Sequence, residues 1–193
     1  EQLRTFKPSI CNRLDRNTSG LVTAGVSLAG LQGMNRVFKD RSIHKYYQCL
    51  VKGEVKEKQL ITGFLTKDEA SNKVEIHSEQ TADSVPIMTE YVPLKSTGKV
   101  TLLQVTLITG RSHQIRAHLA SIGHPILGDF KYGDRRVNER VRSNYKITSQ
   151  MLHSFRLVMP EDLPAPLHYL VGKEFSAPLP ESFLRVMKGE GLA

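Results

Sequence analysis

Cysteine is scarce in this chain: two residues, Cys11 and Cys49, with no Cys-x-x-Cys pair. That argues against a disulfide framework and a thiolate zinc site, and it suits a reducing, cytoplasmic compartment. Long apolar runs are missing too. No stretch approaches the ~20 residues of a membrane-spanning helix, and the opening Glu1-Gln2-Leu3-Arg4-Thr5 lacks the apolar centre of a secretion signal. Acid is outnumbered, 19 Asp and Glu against 27 Lys and Arg, for a formal charge of +8. An excess of that sign suits a polyanionic partner, nucleic acid before an anionic membrane. With 193 residues the chain fits one domain, residues 1–193, with room for a sizeable core. It shows no internal repeat and no low-complexity segment.

What is present concentrates first in Cys11-Asn12-Arg13-Leu14-Asp15-Arg16-Asn17-Thr18-Ser19-Gly20-Leu21-Val22. Here one carboxylate lies between two guanidinium groups, whose charge favours its ionised form. Thr18 and Ser19 can bond back to nearby backbone, and Gly20 opens a conformation closed to other residues. Such a sequence either holds one acid in a fixed, partly exposed turn or is a surface loop with a local ion pair.

Two further stretches favour the first reading. Lys45-Tyr46-Tyr47-Gln48-Cys49-Leu50-Val51-Lys52-Gly53 is one, and Thr109-Gly110-Arg111-Ser112-His113-Gln114-Ile115-Arg116-Ala117-His118-Leu119 is the other. In this order the three stretches resemble the signatures of the RluA-type RNA pseudouridine synthases, His-Arg-Leu-Asp-x-x-Thr-Ser-Gly, Lys-x-Tyr-x-Ala-x-Val-x-Gly and Thr-Gly-Arg-x-His-Gln-Ile-Arg-x-His-Leu. The resemblance implies an isomerase that turns uridine of ribosomal or transfer RNA into pseudouridine, with RNA as its partner, no cofactor and no metal. It leaves the oligomeric state open, with a monomer as the default. Two departures stand out. Asn12 replaces the family's His, and Asn carries no proton near neutral pH. The family's opening block of strands and its frequent upstream RNA-binding domain have no counterpart before Cys11. Those departures motivate the alternative of a catalytically inactive RNA-binding module of the same fold.

Carried over residue by residue, the resemblance implies that Asp15 is the essential acid, as nucleophile or as base toward the ribose. Arg116 is expected to pair with it. Tyr47 is the active-site tyrosine, by stacking or by proton transfer, although a strand tyrosine is more often core; Tyr46, on the opposite face, takes that core role. Arg13 either fills the gap left by a displaced base or contacts phosphate. Arg111 suits phosphate at a helix start, and Arg16 and Lys45 join the RNA-binding set. Asn12, Thr18, His113 and Gln114 support the site. His113 and His118 are five apart, so they do not face each other as metal ligands. His124 and His153 read as structural, satisfied by backbone partners, and nothing catalytic is assigned to Asp129 or Lys131.

Periodicity supplies the frame. Glu1 to Ile10 is an approach segment broken by Pro8, and Leu21 to Ala24 a buried strand end. Ser27 caps a helix through about Asp40 with Leu28, Leu31, Asn35 and Phe38 on one stripe. Alternation from Ile43 to Val51 gives a strand with Ile43, Lys45, Tyr47, Cys49 and Val51 on one face. Leu60 to Leu65, Lys73 to His77 and Pro86 to Pro93 are further strands, with Pro93 near an edge or end. Ser96 to Lys99 makes a hairpin turn into a central strand, Val100 to Ile108. A helix capped by Ser112 follows, buried along Ile115, Leu119 and Ile122, with Arg116 and Ala120 on its shoulder and Gly123 ending it. Arg135 to Lys146 is a basic helix, either a solvated face or an RNA contact. Then come a strand, Leu152 to Met159, a loop from Pro160 to Pro166, a short strand, His168 to Val171, and a last helix near Pro180 to Met187. The expected class is mixed α/β (α+β), a largely antiparallel sheet flanked by helices, as in the resembled catalytic domain.

Overall fold

Strand alternation turns into a sheet whose middle is made by two apolar partners. In the computed structural model, which describes residues 6–193, the chain order is β1 (Ser9–Ile10), β2 (Ser19–Gly20), β3 (Ala24–Gly25), α1 (Leu28–Lys39), β4 (His44–Lys52), β5 (Gln59–Asp68) and β6 (Lys73–His77). It continues with β7 (Val85–Ser96), β8 (Val100–Leu107), α2 (Gln114–Ser121), α3 (Arg135–Tyr145), β9 (Leu152–Val158), β10 (Glu174–Ser176) and α4 (Glu181–Glu190). The main sheet runs β10-β9-β4-β8-β7-β5-β6, each neighbour antiparallel. One strand breaks that pattern: β2 lies parallel to β9, Ser19 opposite His153 and Gly20 opposite Ser154. The fold is therefore mixed α/β with a mostly antiparallel sheet.

The alternating face of β4 sends Tyr47, Cys49 and Val51 into the largest core, where they meet Leu103, Val105, Ile115, Leu119 and residues of α3 and α4. Prolines mark where β7 lacks a partner. Pro86 pairs only toward β5, and Pro93 only toward β8, at a register shift between Pro93 and Lys95. A residue without an N–H is tolerated at such one-sided positions.

Several local expectations need correcting. In α1 the buried residues are Met34 and Val37, whereas Leu28 is 57% exposed and Asn35 is exposed. The helix is rotated because it covers a second core built from Ile43, Leu157, Met159, Leu163 and Leu167. Leu21 to Ala24 is not a buried strand end. Val22 and Ala24 are exposed, and Ala24–Gly25 pairs with Ser9–Ile10 in a small separate ladder. Ser112 does not cap α2; His113 occupies that position in a left-handed conformation, φ 55°, with no side-chain cap. Nor is α2 buried along one stripe, since Gln114 through Leu119 are all buried. His168–Leu170 is a single 3-10 turn, closed by Leu170 N–H to the Leu167 carbonyl and Val171 N–H to that of His168, rather than a strand. The basic helix is capped by Asp134, whose carboxylate accepts the Val137 amide at 3.0 Å. Part of the approach segment, residues 1–5, lies outside the described residues.

Candidate active site

The ends of β4 and β8 and the segments after β1 and β8 converge on one cleft of about 370 Å³. Its walls include Cys11 to Asp15, Thr18, Phe38, Lys39, Arg41, Lys45, Tyr47 and Gly110 to Ile115. β4 and β8 are antiparallel with Tyr46 opposite Thr106, so the start of one strand and the end of the other open on the same side. Lys45 and Tyr47 thus face the turn that follows β8.

Asp15 sits in the loop between β1 and β2, and that loop is pinned from several directions. Its own carbonyl accepts the Thr18 amide at 2.9 Å. Gln150 donates to the Arg16 carbonyl at 2.7 Å and to the Thr18 hydroxyl at 3.1 Å. Ser19 Oγ meets His153 Nδ1 at 2.8 Å. Gly20 has φ 115°, and a Cβ there would lie 2.1 Å from the Ser154 carbonyl oxygen, so no side chain fits. Asn12 Oδ1 accepts both the amide and the hydroxyl of Thr23, at 2.8 and 2.9 Å. It orients the turn through acceptance alone, a task that needs no titrating ring.

The second arm of the site is the turn from Thr109 into α2. Gln114 is fully buried and uses its whole amide: Oε1 accepts from the Thr109 hydroxyl and the Arg111 amide, while Nε2 donates to the Met88 carbonyl and the Thr89 hydroxyl. This ties the turn to β7. His113 pairs through Nδ1 with the Tyr132 hydroxyl at 2.8 Å. Burial is the largest influence on that imidazole and moves its pKa down, against the opposing charge of Asp15.

Arg116 is 8% exposed and lies behind the cleft wall. Its Nη1 is 3.5 Å from Asp15 Oδ2, and the Asp15 side chain is 22% exposed. The expected pairing therefore exists, but it is the longer of two. Asp129, 1% exposed, takes Arg116 Nε at 2.7 Å and Nη2 at 2.8 Å. Burial pushes the Asp129 carboxyl up, yet the Arg116 hydrogen bonds and charge, with the Lys131 and Tyr132 amides, leave it below the usual carboxylate value. The Arg116 guanidinium also lies 5.1 Å from the Tyr132 ring centre.

Tyr47 is buried and borders the cleft. Burial raises its phenol to about 12, and the negative charge of Asp15 acts in the same direction. At neutral pH the hydroxyl is a donor, not a phenolate. Tyr46, on the other face, is half-buried under the Arg156 guanidinium, 4.1 Å from its ring centre.

Around Asp15 stand Arg13, Lys39, Arg41, Lys45 and Arg111. Among the described residues none of these five has an acidic partner within ion-pair distance. Burial, and then the nearby charge of Arg41, lowers the Lys45 pKa. Of the four residues expected to bind RNA, Arg13, Arg16, Lys45 and Arg111, Arg16 alone is outside this lining; it is exposed and contributes its carbonyl to Gln150. Sequence reasoning missed Lys39, Arg41, Gln150 and Asp129. Of these only Asp129 left a trace, as a turn acid after Gly128. No three His, Cys, Asp or Glu side chains among the described residues gather as metal ligands, and no helix there is long and apolar enough to cross a membrane. His124 Nδ1 meets the Lys52 carbonyl at 3.0 Å.

Comparisons with known proteins bear on the family and the fold. A family model described as RNA pseudouridylate synthase matches residues 1–121. Ribosomal large subunit pseudouridine synthase C of Vibrio vulnificus is 34% identical over 142 residues, 70% of this chain and 44% of that protein. An uncharacterized RNA pseudouridine synthase of Chloroflexus aurantiacus is 34% identical over 185 residues, 95% of this chain and 54% of that one. The chain thus spans about half the length of these relatives. Among solved structures, human RNA pseudouridylate synthase domain containing 4 superposes with a TM-score of 0.76 at 21% identity, covering 96% of this chain and 76% of that one, a likeness of fold. With a family model spanning residues 1–121 and relatives 34% identical over 70% and 95% of its length, this chain belongs to the RNA pseudouridylate synthase family.

Proposed function

We propose that this chain isomerises specific uridines to pseudouridine in structured RNA, with Asp15 as the reacting carboxylate. The observation that carries this reading is Asp15 itself: one oxygen faces a buried guanidinium at 3.5 Å while the side chain still opens into a cation-lined cleft.

The reaction breaks the bond from ribose C1′ to uracil N1, turns the base and joins C1′ to C5; one proton leaves C5 and one is taken up at N1, so the product is an isomer. It transfers no electrons to or from a second molecule, so it demands no redox cofactor. It does demand an ionised oxygen beside the sugar, and that oxygen serves either as nucleophile at C1′ or as base toward the ribose. It also needs a flat surface and a donor for the detached base. That the Tyr47 ring lines the cleft and keeps its hydroxyl proton at neutral pH supports giving it both tasks. Reaching a stacked uridine costs a few kcal/mol, and Arg13, two residues from Asp15 on the rim, is a long planar cation suited to fill the vacated place. Asn12 works here as a hydrogen-bond acceptor, so its substitution for His gives no support to an inactive module.

Five relatives are named ribosomal large subunit pseudouridine synthase C or D, which makes ribosomal RNA the first substrate to try and transfer RNA the second. Incubating the full-length protein with each RNA, transcribed without modifications, should create pseudouridine at discrete positions; no new pseudouridine in either would reject the reading.

Lys39 and Arg41 extend the cation rim beyond the motif residues. Neutralising both, as Lys39→Gln with Arg41→Gln, should weaken RNA binding alike for all sequences. The slope of log K against log salt should flatten by roughly 1.4–1.8, since each lost phosphate contact removes about 0.7–0.9. An unchanged slope would take these two residues out of the interface.

A further inference from the structure

We propose that Asp129 is a positioning residue for this reaction: it engages two donors of Arg116 and so keeps that guanidinium from closing on Asp15, leaving the Asp15 oxygens available to substrate. The inference rests on the reading of Asp15 as the reacting group. Asp129 lies beyond the span 1–121 that matches the family model.

Two carboxylates compete for one guanidinium. The contacts to Asp129, 2.7 and 2.8 Å, have the two-pronged geometry and the lengths of strong charge-assisted bonds. The contact to Asp15, 3.5 Å from one nitrogen, does not. The contest is decided by how each acid is held. Asp129 Oδ1 also accepts the amides of Lys131 and Tyr132, at 2.9 and 3.1 Å. Its backbone carbonyl accepts from Asn138 Nδ2 at 2.8 Å, and Asn138 Oδ1 in turn receives the Gly128 N–H at 2.8 Å. Asp129 therefore cannot move away from Arg116, and Arg116 cannot leave it without stranding a buried charge. A fork that paired fully with Asp15 would cover both of its oxygens, and the ribose would have to displace it.

Asp129→Asn tests this. The amide oxygen can keep the Lys131 and Tyr132 N–H groups, but its NH2 then faces the Arg116 Nε–H, donor against donor. The guanidinium is driven to the one carboxylate left, Asp15. In the full-length protein kcat should fall about tenfold or more while the KM for RNA stays within about twofold, the pattern of a defect in the reacting step. On an Arg116→Gln background there is no guanidinium for Asp129 to hold back, and adding Asp129→Asn should then change the residual rate, taken per folded molecule, by less than about twofold. Equal losses on both backgrounds, or a lower melting temperature with kcat intact, would reduce Asp129 to a structural pin. Should Asp129→Asn alone not fold, the comparison of Arg116→Gln with the double variant decides. Full activity of Asp15→Asn would instead reject the reading of Asp15, an outcome separate from these.

Discussion

Asp15→Asn should give a protein with native stability and RNA affinity that forms pseudouridine at least about a thousandfold more slowly, the scale reached when an active site loses its reacting group. The substitution is close to isosteric, and it removes only the charge. Arg116 loses a 3.5 Å contact yet retains both bonds to Asp129, so the buried guanidinium is not stranded. The loop keeps its other ties as well, because Gln150 holds the Arg16 carbonyl and the Thr18 hydroxyl, and the Asp15 link to Thr18 runs through backbone. Binding survives because the cations of the rim are untouched. The competing view of Arg13-Leu14-Asp15-Arg16 as an ordinary surface ion pair expects the reverse, a small stability change and full turnover. Single-turnover kinetics, a binding titration and a thermal melt on one preparation separate the two. More than about a tenth of the native rate would be too much for a protein that has lost its reacting oxygen.

The loop around Asp15 could be read from the sequence because its information is local. A polar turn with Gly20 at its end, and a carboxylate between cations, describe themselves within a dozen neighbours. Strand β4 was equally legible, since alternation from Ile43 to Val51 is a direct image of which face is buried. What the sequence did not disclose depends on partners remote in the chain. Gln150 is an unremarked polar residue until β9 is laid beside β2. Asp129 reads as a turn acid until the helix carrying Arg116 is packed against it. The same cause misplaced elements. The α1 stripe turned by a fraction of a circle because Leu163 and Leu167, in an irregular segment, complete the core it covers. His168 to Leu170 has the composition of a strand but no neighbour to bond, and so closes on itself with three-residue spacing. At His113 a left-handed residue precedes α2, a position where the sequence favoured a serine cap; its side chain instead reaches Tyr132.

Arg116→Met should destabilise the protein by about 3–5 kcal/mol, because it leaves Asp129 buried and unpaired. For a chain of this size that is a fall in melting temperature of roughly 6–20 °C. The loss should be reversible by a second change. In Arg116→Met with Asp129→Asn neither member of the buried pair is charged, and the Asn oxygen still receives the Lys131 and Tyr132 amides, which a Leu at 129 would orphan. The double variant should regain most of the lost stability while staying inactive. That divergence is what makes the pair informative. In the single variant, inactivity mixes a missing cation beside Asp15 with a partly unfolded population, and neither can be read from a rate alone. In the double variant the fold is restored and the rate reports only the missing guanidinium at 3.5 Å from Asp15. A native melting temperature for Arg116→Met would mean that Asp129 finds another partner or a proton, and the charge arrangement drawn for this site would have to be given up. Recovery of activity along with stability in the double variant would show that Arg116 acts on the fold and not on Asp15.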